Sequence, residues 1–378
     1  MYPALAVLSA ASIEAEPYAA LPEPAEQAAP DILWVGGEGG MEADLVKRAG
    51  VPYQTIPAAG IHGVGWRSLP GNLWRLWRGF LRSRQILGEF RPDVLFFTGG
   101  YLAVPMAIAS RFPLKGVPRP RSLLFVPDIE PGLALKTLAR FADRIALTVD
   151  ASREYMPANT NLTVTGYPTR PELRSWDRQA AYKAFQLETD SPVLLVFGGS
   201  SGARSINRAL LASLPSLLEE MQVVHLTGKL DWSEVQAAWD EMKETLPDSR
   251  VRRYHFYPYL YEQMGAALAS ADLVLSRAGA SILGEFPMLG LPAILVPYPY
   301  AWRYQQLNAR YLEKHGASVV VQDADLPNML FSTVHSLITD QKKLADMSSA
   351  MGALAKPQAA QQLATLLGSL ASYGRGAG

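Results

Sequence analysis

The chain has 378 residues, 49% of them apolar, enough for two domains of roughly 100–200 residues each and too apolar to be disordered along most of its length. Lys plus Arg and Asp plus Glu both number 35, so no overall charge points to a nucleic-acid partner. The absence of Cys excludes a disulfide scaffold, a thiolate nucleophile and a cysteine-ligated metal, and five scattered His without His-x-x-x-His spacing argue against a zinc enzyme.

In chain order, the first twenty residues have the outline of a signal peptide, but no Lys or Arg precedes Lys47 and Glu14 and Glu16 come early, so export is not expected. Residues 19–30, rich in Ala, Pro and Glu without periodicity, read as a mobile surface loop. Residues 32–35 read as a strand. From Trp66 to Arg91, apolar Leu69, Leu73, Trp74, Leu76, Trp77, Phe80 and Leu81 alternate with Arg67, Arg75, Arg78, Arg82 and Arg84, the pattern of a basic amphipathic helix. Between Trp66 and Phe125, ten Lys or Arg face only Glu89 and Asp93. That surplus suits anionic headgroups; an ordinary crossover helix burying its Trp and Leu is the other reading. Residues 94–110 lack charge, but Thr98-Gly99-Gly100-Tyr101 divides them into a strand at 94–97 and a short element from about Leu102, rather than a membrane span.

Residues 122–126 and 144–148 complete the strands expected of a first half, and 193–197, 223–226, 273–275, 293–296 and 318–321 those of a second. Strands alternating with amphipathic helices predict parallel sheets, with Thr165-Gly166-Tyr167-Pro168-Thr169-Arg170-Pro171 as the link. The expected division is 1–164, 165–345 and a helical segment 346–378 returning towards the N-terminal domain, with the ligand in the cleft between the halves.

Three segments could carry chemistry. After 193–197 comes Gly198-Gly199-Ser200-Ser201-Gly202-Ala203-Arg204-Ser205-Ile206-Asn207, a glycine turn opening a helix, where free N–H groups and the helix dipole attract a diphosphate. Glycines placed only for a tight turn are the alternative. After 273–275, Ser276-Arg277-Ala278-Gly279-Ala280-Ser281 opens a helix whose Glu285 could accept both hydroxyls of a ribose or simply favour the helix start; Pro287 would bend that helix. In the third, Pro297-Tyr298-Pro299-Tyr300 through Gln305 and Asn308, amides and rings suit a neutral sugar, or a loop packed on the neighbouring domain. Asp323-Ala324-Asp325 has the Asp-x-Asp spacing of some metal-dependent glycosyltransferases, but a Leu-Pro and a helical pattern follow, so helix capping is expected and no metal.

Together with His225-Leu-Thr-Gly-Lys229, Gly290-Leu-Pro-Ala-Ile-Leu-Val-Pro297 and Gln305-Gln306-Leu307-Asn308, these motifs resemble, in order and spacing, the MurG family. Residues 40–46, Arg91-Pro-Asp-Val94, Gly99-Gly100-Tyr101 and Gly166-Tyr-Pro-Thr-Arg170 add to the resemblance. It implies a GT-B fold of two Rossmann-like α/β domains whose parallel sheets face across a cleft. The implied activity is inverting transfer of N-acetylglucosamine from UDP-N-acetylglucosamine to undecaprenyl-diphosphate-linked muramoyl pentapeptide in peptidoglycan biosynthesis. It implies no cofactor, and a peripheral position on the cytoplasmic face of the bacterial membrane. Ser200, Ser201 and Gly202 would hold the diphosphate, with Gly279 and Ala280 in the second turn; Glu285 would take the ribose, Gln305 and Asn308 the sugar, Arg170 the sugar-phosphate region and Leu260 the uracil. Gly99, Gly100, Tyr101, Trp74, Arg75, Trp77, Arg78 and Arg82 would face the acceptor and membrane. His225 reads as a packed strand-end residue rather than a base.

The chain also departs from the family. It begins Met1-Tyr2-Pro3-Ala4-Leu5-Ala6-Val7, where the family continues after a first strand and a Gly-rich loop bearing the implied base; either the true start lies upstream or the protein lacks that base, and slow transfer is expected of the chain as given. The family's His-Glu-Gln-Asn segment is here Phe125-Val126-Pro127-Asp128, where Asp128 could replace an amide contact or serve as a carboxylate base if it faces the acceptor. A glycolipid synthase of the same fold and a catalytically inactive UDP-sugar-binding homologue are the rival readings.

Overall fold

The computed structural model describes residues 2–13, 31–38, 42–57, 69–158, 160–199, 202–300 and 304–375. It has two α/β units, Met1–Pro168 with Gln358–Gly378, and Thr169–Pro357. The expected loop at 19–30 lies outside the described residues.

In the first unit, β1 (Trp34–Gly37) pairs in parallel with β2 (Tyr53–Ile56). A second, all-parallel sheet runs β3 (Val94–Phe97), β4 (Arg121–Val126), β5 (Arg144–Leu147) and β6 (Leu162–Val164) in sequence order. Leu123 to Val126 of β4 are fully buried, because a central parallel strand is covered on both faces. The helix Leu69–Phe90 approaches this unit through Gly79, where a Cβ would lie 2.2 Å from the Pro57 carbonyl oxygen, and buries Ser83, Ile86 and Leu87. Among the described residues no helix is long and apolar enough to cross a membrane, and the 94–110 stretch is β3 followed by the short helix Ala103–Ala109.

The second unit contains six parallel strands, β7 (Val193–Phe197), β8 (Gln222–Leu226), β9 (Tyr254–Tyr257), β10 (Leu273–Ser276), β11 (Ala293–Leu295) and β12 (Ser318–Val320). Their spatial order is β12-β11-β10-β7-β8-β9. The chain winds outward from β7 to β9, returns to the other side of β7, and winds outward again to β12. This is the dinucleotide-fold order, and its reversal lies between β7 and β10. The core is aliphatic: Leu194, Val196, Leu273, Leu275 and Ile294 from the sheet pack against Ile206, Leu210 and Leu214 of the helix Arg204–Glu220 and Leu330 and Val334 of the helix Leu326–Ile338.

The expected domain limits shift. The first boundary falls after Pro168, and residues 346–357 stay with the second unit, because the helix Gln341–Ala353 packs on the helix Ile282–Leu289 and buries Met347 and Met351. Only the helix Ala359–Arg375 joins the first unit, where it packs on Tyr2–Ile13, β3 and β4. Pro287 sits near the end of Ile282–Leu289, which closes at Gly290 with φ +59°, so the helix needs no sharp bend.

Candidate active site

In an open parallel sheet the crevice outside the carboxyl ends of the strands flanking the reversal binds ligands. Here those strands are β7 and β10, and the two glycine turns of the sequence follow them directly. The glycines after β7 serve two purposes. A Cβ on Gly198 would lie 2.2 Å from the Ala203 Cβ, and one on Gly202, whose φ is +85°, would lie 2.3 Å from the Thr227 carbonyl oxygen. Both are required by packing. Gly199 also has a positive φ, +93°, but open space stands where its Cβ would be, as it does at Gly279 after β10. Open space beside the backbone at Gly199 and Gly279 is what close approach by a ligand needs. Ser200 and Ser201 lie outside the described residues.

Glu285, in the first turn of Ile282–Leu289, lies within electrostatic reach of Arg170, which precedes the 3₁₀ turn Pro171–Arg174. Burial pushes its carboxyl up to about 7, against the pull of Arg170 and of a hydrogen bond from Ser281. A carboxylate with little water around it, beside a fixed cation, can accept paired hydroxyls strongly. Tyr298 and Tyr300, both exposed, meet edge to face at 5.5 Å on the loop after β11. Gln305 fixes that loop by accepting from the Tyr298 N–H at 2.8 Å, which leaves Nε2 as the donor end of its amide. Leu260 is buried in the loop that follows β9.

Asn308 is fully buried and donates through Nδ2 to the Ala278 carbonyl at 3.1 Å, which anchors the turn after β10. The expectation of helix capping at the Asp-x-Asp spacing is corrected. Asp325 stands at the N-cap of Leu326–Ile338 but makes no capping hydrogen bond, and Asp323 is ion-paired with Arg277. Among the described residues no group of three or more His, Cys, Asp or Glu is arranged to hold a metal ion.

A buried polar chain, of which sequence reading found only His225, backs the first glycine turn. Asn207 donates through Nδ2 to the Thr227 carbonyl at 2.8 Å and to Asp231 Oδ2 at 3.0 Å, so its Oδ1 must accept. His225 Nε2, 2.9 Å away, is therefore the protonated nitrogen, and Nδ1 accepts from the Tyr254 hydroxyl at 2.7 Å. Burial holds the imidazole neutral, lowering its pKa to about 3, and raises the Tyr254 phenol. Asp231 in turn accepts from Arg204 at 3.1 Å. The chain fixes the Thr227 carbonyl against Gly202.

In the first unit, Gly99 and Gly100 have φ of +119° and +84° and carry the exposed Tyr101 beyond β3. Past β4, Asp128 is half-buried, whereas Glu130 is buried and accepts from Lys136 at 2.8 Å. The helix Leu69–Phe90 does not bury its tryptophans: Trp74 is 62% and Trp77 52% exposed, flanked by exposed Leu73, Leu81, Arg75 and Arg78. Trp77 stacks on Phe80, which meets the exposed Phe112 edge to face. Arg82 instead turns inward to donate to Gln54 at 3.3 Å. The result is a solvent-facing apolar stripe with a cationic border, the opposite of a helix that merely crosses over the sheet.

Comparison with known proteins agrees with this geometry. Residues 193–363 match the glycosyltransferase family 28 C-terminal domain and residues 15–147 the glycosyltransferase family 28 N-terminal domain. The chain is 40% identical over 376 residues to a Roseiflexus sp. protein, covering 89% of this chain and 83% of the relative, and 36% identical over 337 residues to one from Desulforamulus reducens, covering 87% of each. Both relatives are named UDP-N-acetylglucosamine--N-acetylmuramyl-(pentapeptide) pyrophosphoryl-undecaprenol N-acetylglucosamine transferase. The fold is similar to the crystal structure of Acinetobacter baumannii MurG, with a TM-score of 0.71 and 24% identity over 97% of this chain and 95% of that one. It is also similar to Neisseria meningitidis UDP-GlcNAc 2-epimerase bound to UDP-GlcNAc, with a TM-score of 0.61 and 12% identity over 89% and 91% of the two chains.

Proposed function

The chain belongs to the MurG family of glycosyltransferases, and from that premise we propose that it transfers N-acetylglucosamine from UDP-N-acetylglucosamine to undecaprenyl-diphosphate-linked muramoyl pentapeptide, with inversion. The observation that carries this reading is the open space beside Gly199 and Gly279, in the turns on either side of the sheet's reversal, with Glu285 within electrostatic reach of Arg170. The turns offer N–H donors to a diphosphate whose charge grows as the sugar leaves, and stabilising that charge is the main task of the donor half. Glu285 takes the ribose hydroxyls, Arg170 the sugar-phosphate region, and Gln305 with the rings of Tyr298 and Tyr300 the sugar. The acceptor hydroxyl must lose a proton as it attacks the anomeric carbon. Asp128, half-buried just beyond β4, is the candidate base.

The stripe Leu73, Trp74, Trp77 and Leu81 with Arg75 and Arg78 supports a peripheral position on an anionic membrane, where a lipid-linked acceptor resides. Each basic group near such a surface contributes about 1 kcal/mol, and the tryptophans suit the headgroup boundary. Two measurements test the proposal. Calorimetry should show binding of UDP-N-acetylglucosamine that Glu285→Ala weakens by about 1.5–3 kcal/mol. Replacing Trp74 and Trp77 by Ala and Arg75 and Arg78 by Glu should abolish sedimentation with anionic vesicles while donor affinity is retained; equal sedimentation would remove the membrane from the account.

A further inference from the structure

The segments after β7, β10, β11 and β12 are tied together by one guanidinium. Arg277, the first residue beyond β10, has 10% of its side chain exposed. Its Nη1 donates to the Val296 carbonyl at 3.2 Å and to the Asp323 carboxylate, and its Nη2 donates to Ser205 Oγ at 2.7 Å. The guanidinium carbon lies 5.2 Å from the centroid of the Tyr298 ring. Ser205 closes the circuit by donating its own proton to Asp323 Oδ1 at 2.7 Å.

Asp323 is the anion on which this arrangement depends. A cation this far from water needs a counter-charge, and the other partners of Arg277 are a carbonyl, a hydroxyl and a ring. Each donor-binding segment is attached to the circuit. Ser205 is in the first turn of the helix Arg204–Glu220, just behind Gly202; Arg277 begins the turn that leads through Gly279 to Glu285; Tyr298 carries the loop fixed by Gln305. Asp323 belongs to none of these segments and lies beyond β12.

Resting on the donor reading above, we propose that Asp323 is a positioning residue that acts through Arg277 to set the register between the diphosphate, ribose and sugar segments. Register matters most to a ligand that spans all three. UDP-N-acetylglucosamine does so, whereas UMP, without the second phosphate and the sugar, reaches the ribose segment and only part of the diphosphate segment.

The test is calorimetry with UDP-N-acetylglucosamine and with UMP, on wild type, Asp323→Ala and Asp323→Asn, with thermal unfolding in parallel. The expected result for Asp323→Ala is a loss of about tenfold or more in UDP-N-acetylglucosamine affinity, the scale of a charge-assisted hydrogen bond, with UMP affinity changed by less than about twofold. Asp323→Asn, which keeps an acceptor oxygen for Arg277 and Ser205, should fall between Ala and wild type. Unchanged UDP-N-acetylglucosamine affinity in a folded Asp323→Ala variant, or an equal loss for both ligands, would overturn the proposal. If Asp323→Ala does not fold, the same two criteria are read from Asp323→Asn. Failure of the wild type to bind UDP-N-acetylglucosamine would refute the donor reading itself, and this inference with it.

Discussion

The protonation of Glu285 makes donor binding depend on pH in a way that can be worked out in advance. In the free protein its carboxyl is raised by burial to about 7. In the proposed complex the ribose hydroxyls donate to the charged form, so binding draws off whatever proton is present. With a starting value near 7, about half of the molecules carry that proton at about pH 7, about nine-tenths at about pH 6 and about one-tenth at about pH 8. Apparent affinity should therefore fall about twofold from about pH 8 to about pH 7, and about tenfold from about pH 8 to about pH 6. Titration calorimetry near pH 7 in buffers of different ionisation enthalpy should show roughly half a proton released per donor bound. UDP-N-acetylglucosamine is the right ligand, because the terminal phosphate of UDP titrates itself near about pH 6. Glu285→Gln should lose both the proton release and the pH dependence. A wild type with flat affinity and no buffer dependence, or a Gln variant that retains either, would refute the assignment of Glu285 to the ribose.

The two kinds of glycine after β7 should separate experimentally. Gly202→Ala meets both a left-handed backbone and the Thr227 carbonyl, so denaturant unfolding should show a loss of at least about 2 kcal/mol. Gly199→Ala bears only the backbone strain, about 1–2 kcal/mol, yet its methyl enters the space proposed for the diphosphate, so donor affinity should fall more than stability. Replacing His225 by Phe strands Asn207 Oδ1 and the Tyr254 hydroxyl in the core and should cost about 2–4 kcal/mol. Because His225 stays neutral when folded but takes up a proton near 6.5 when unfolded, its contribution is complete above about pH 6.5 and is lost as pH falls towards about 3. A variant that unfolds with the same pH dependence as wild type would show that His225 is not the group responsible.

The legible parts of this molecule are those where local pattern and tertiary role coincide. β4, β7 and β10 are covered on both faces, and that burial writes a continuous apolar run into the sequence. β2, β6 and β9 were not legible, because Tyr53-Gln-Thr-Ile56, Leu162-Thr-Val164 and Tyr254-His-Phe-Tyr257 mix polar and aromatic residues instead of forming a continuous apolar run. In the candidate site, the glycine turns and Glu285 stood out because backbone freedom and helix position are local properties. The burial of Asn308, the pairing of Arg277 with Asp323 and the Asn207–His225–Tyr254 chain join residues up to 46 positions apart, and nothing in the spacing of the sequence marks such pairs. The tryptophans of Leu69–Phe90 were ambiguous for a related reason. The sequence has apolar residues enough for two stripes, and only packing through Gly79 decides which one faces the sheet.

The central claim is sugar transfer to a lipid-linked acceptor, and its most direct test is incubation of the protein with UDP-N-acetylglucosamine labelled in the sugar and undecaprenyl-diphosphate muramoyl pentapeptide in anionic vesicles. The account predicts that label moves into the lipid fraction with one UDP released for each sugar transferred. Release of UDP with free labelled N-acetylglucosamine, or bound donor that is never consumed, would contradict it.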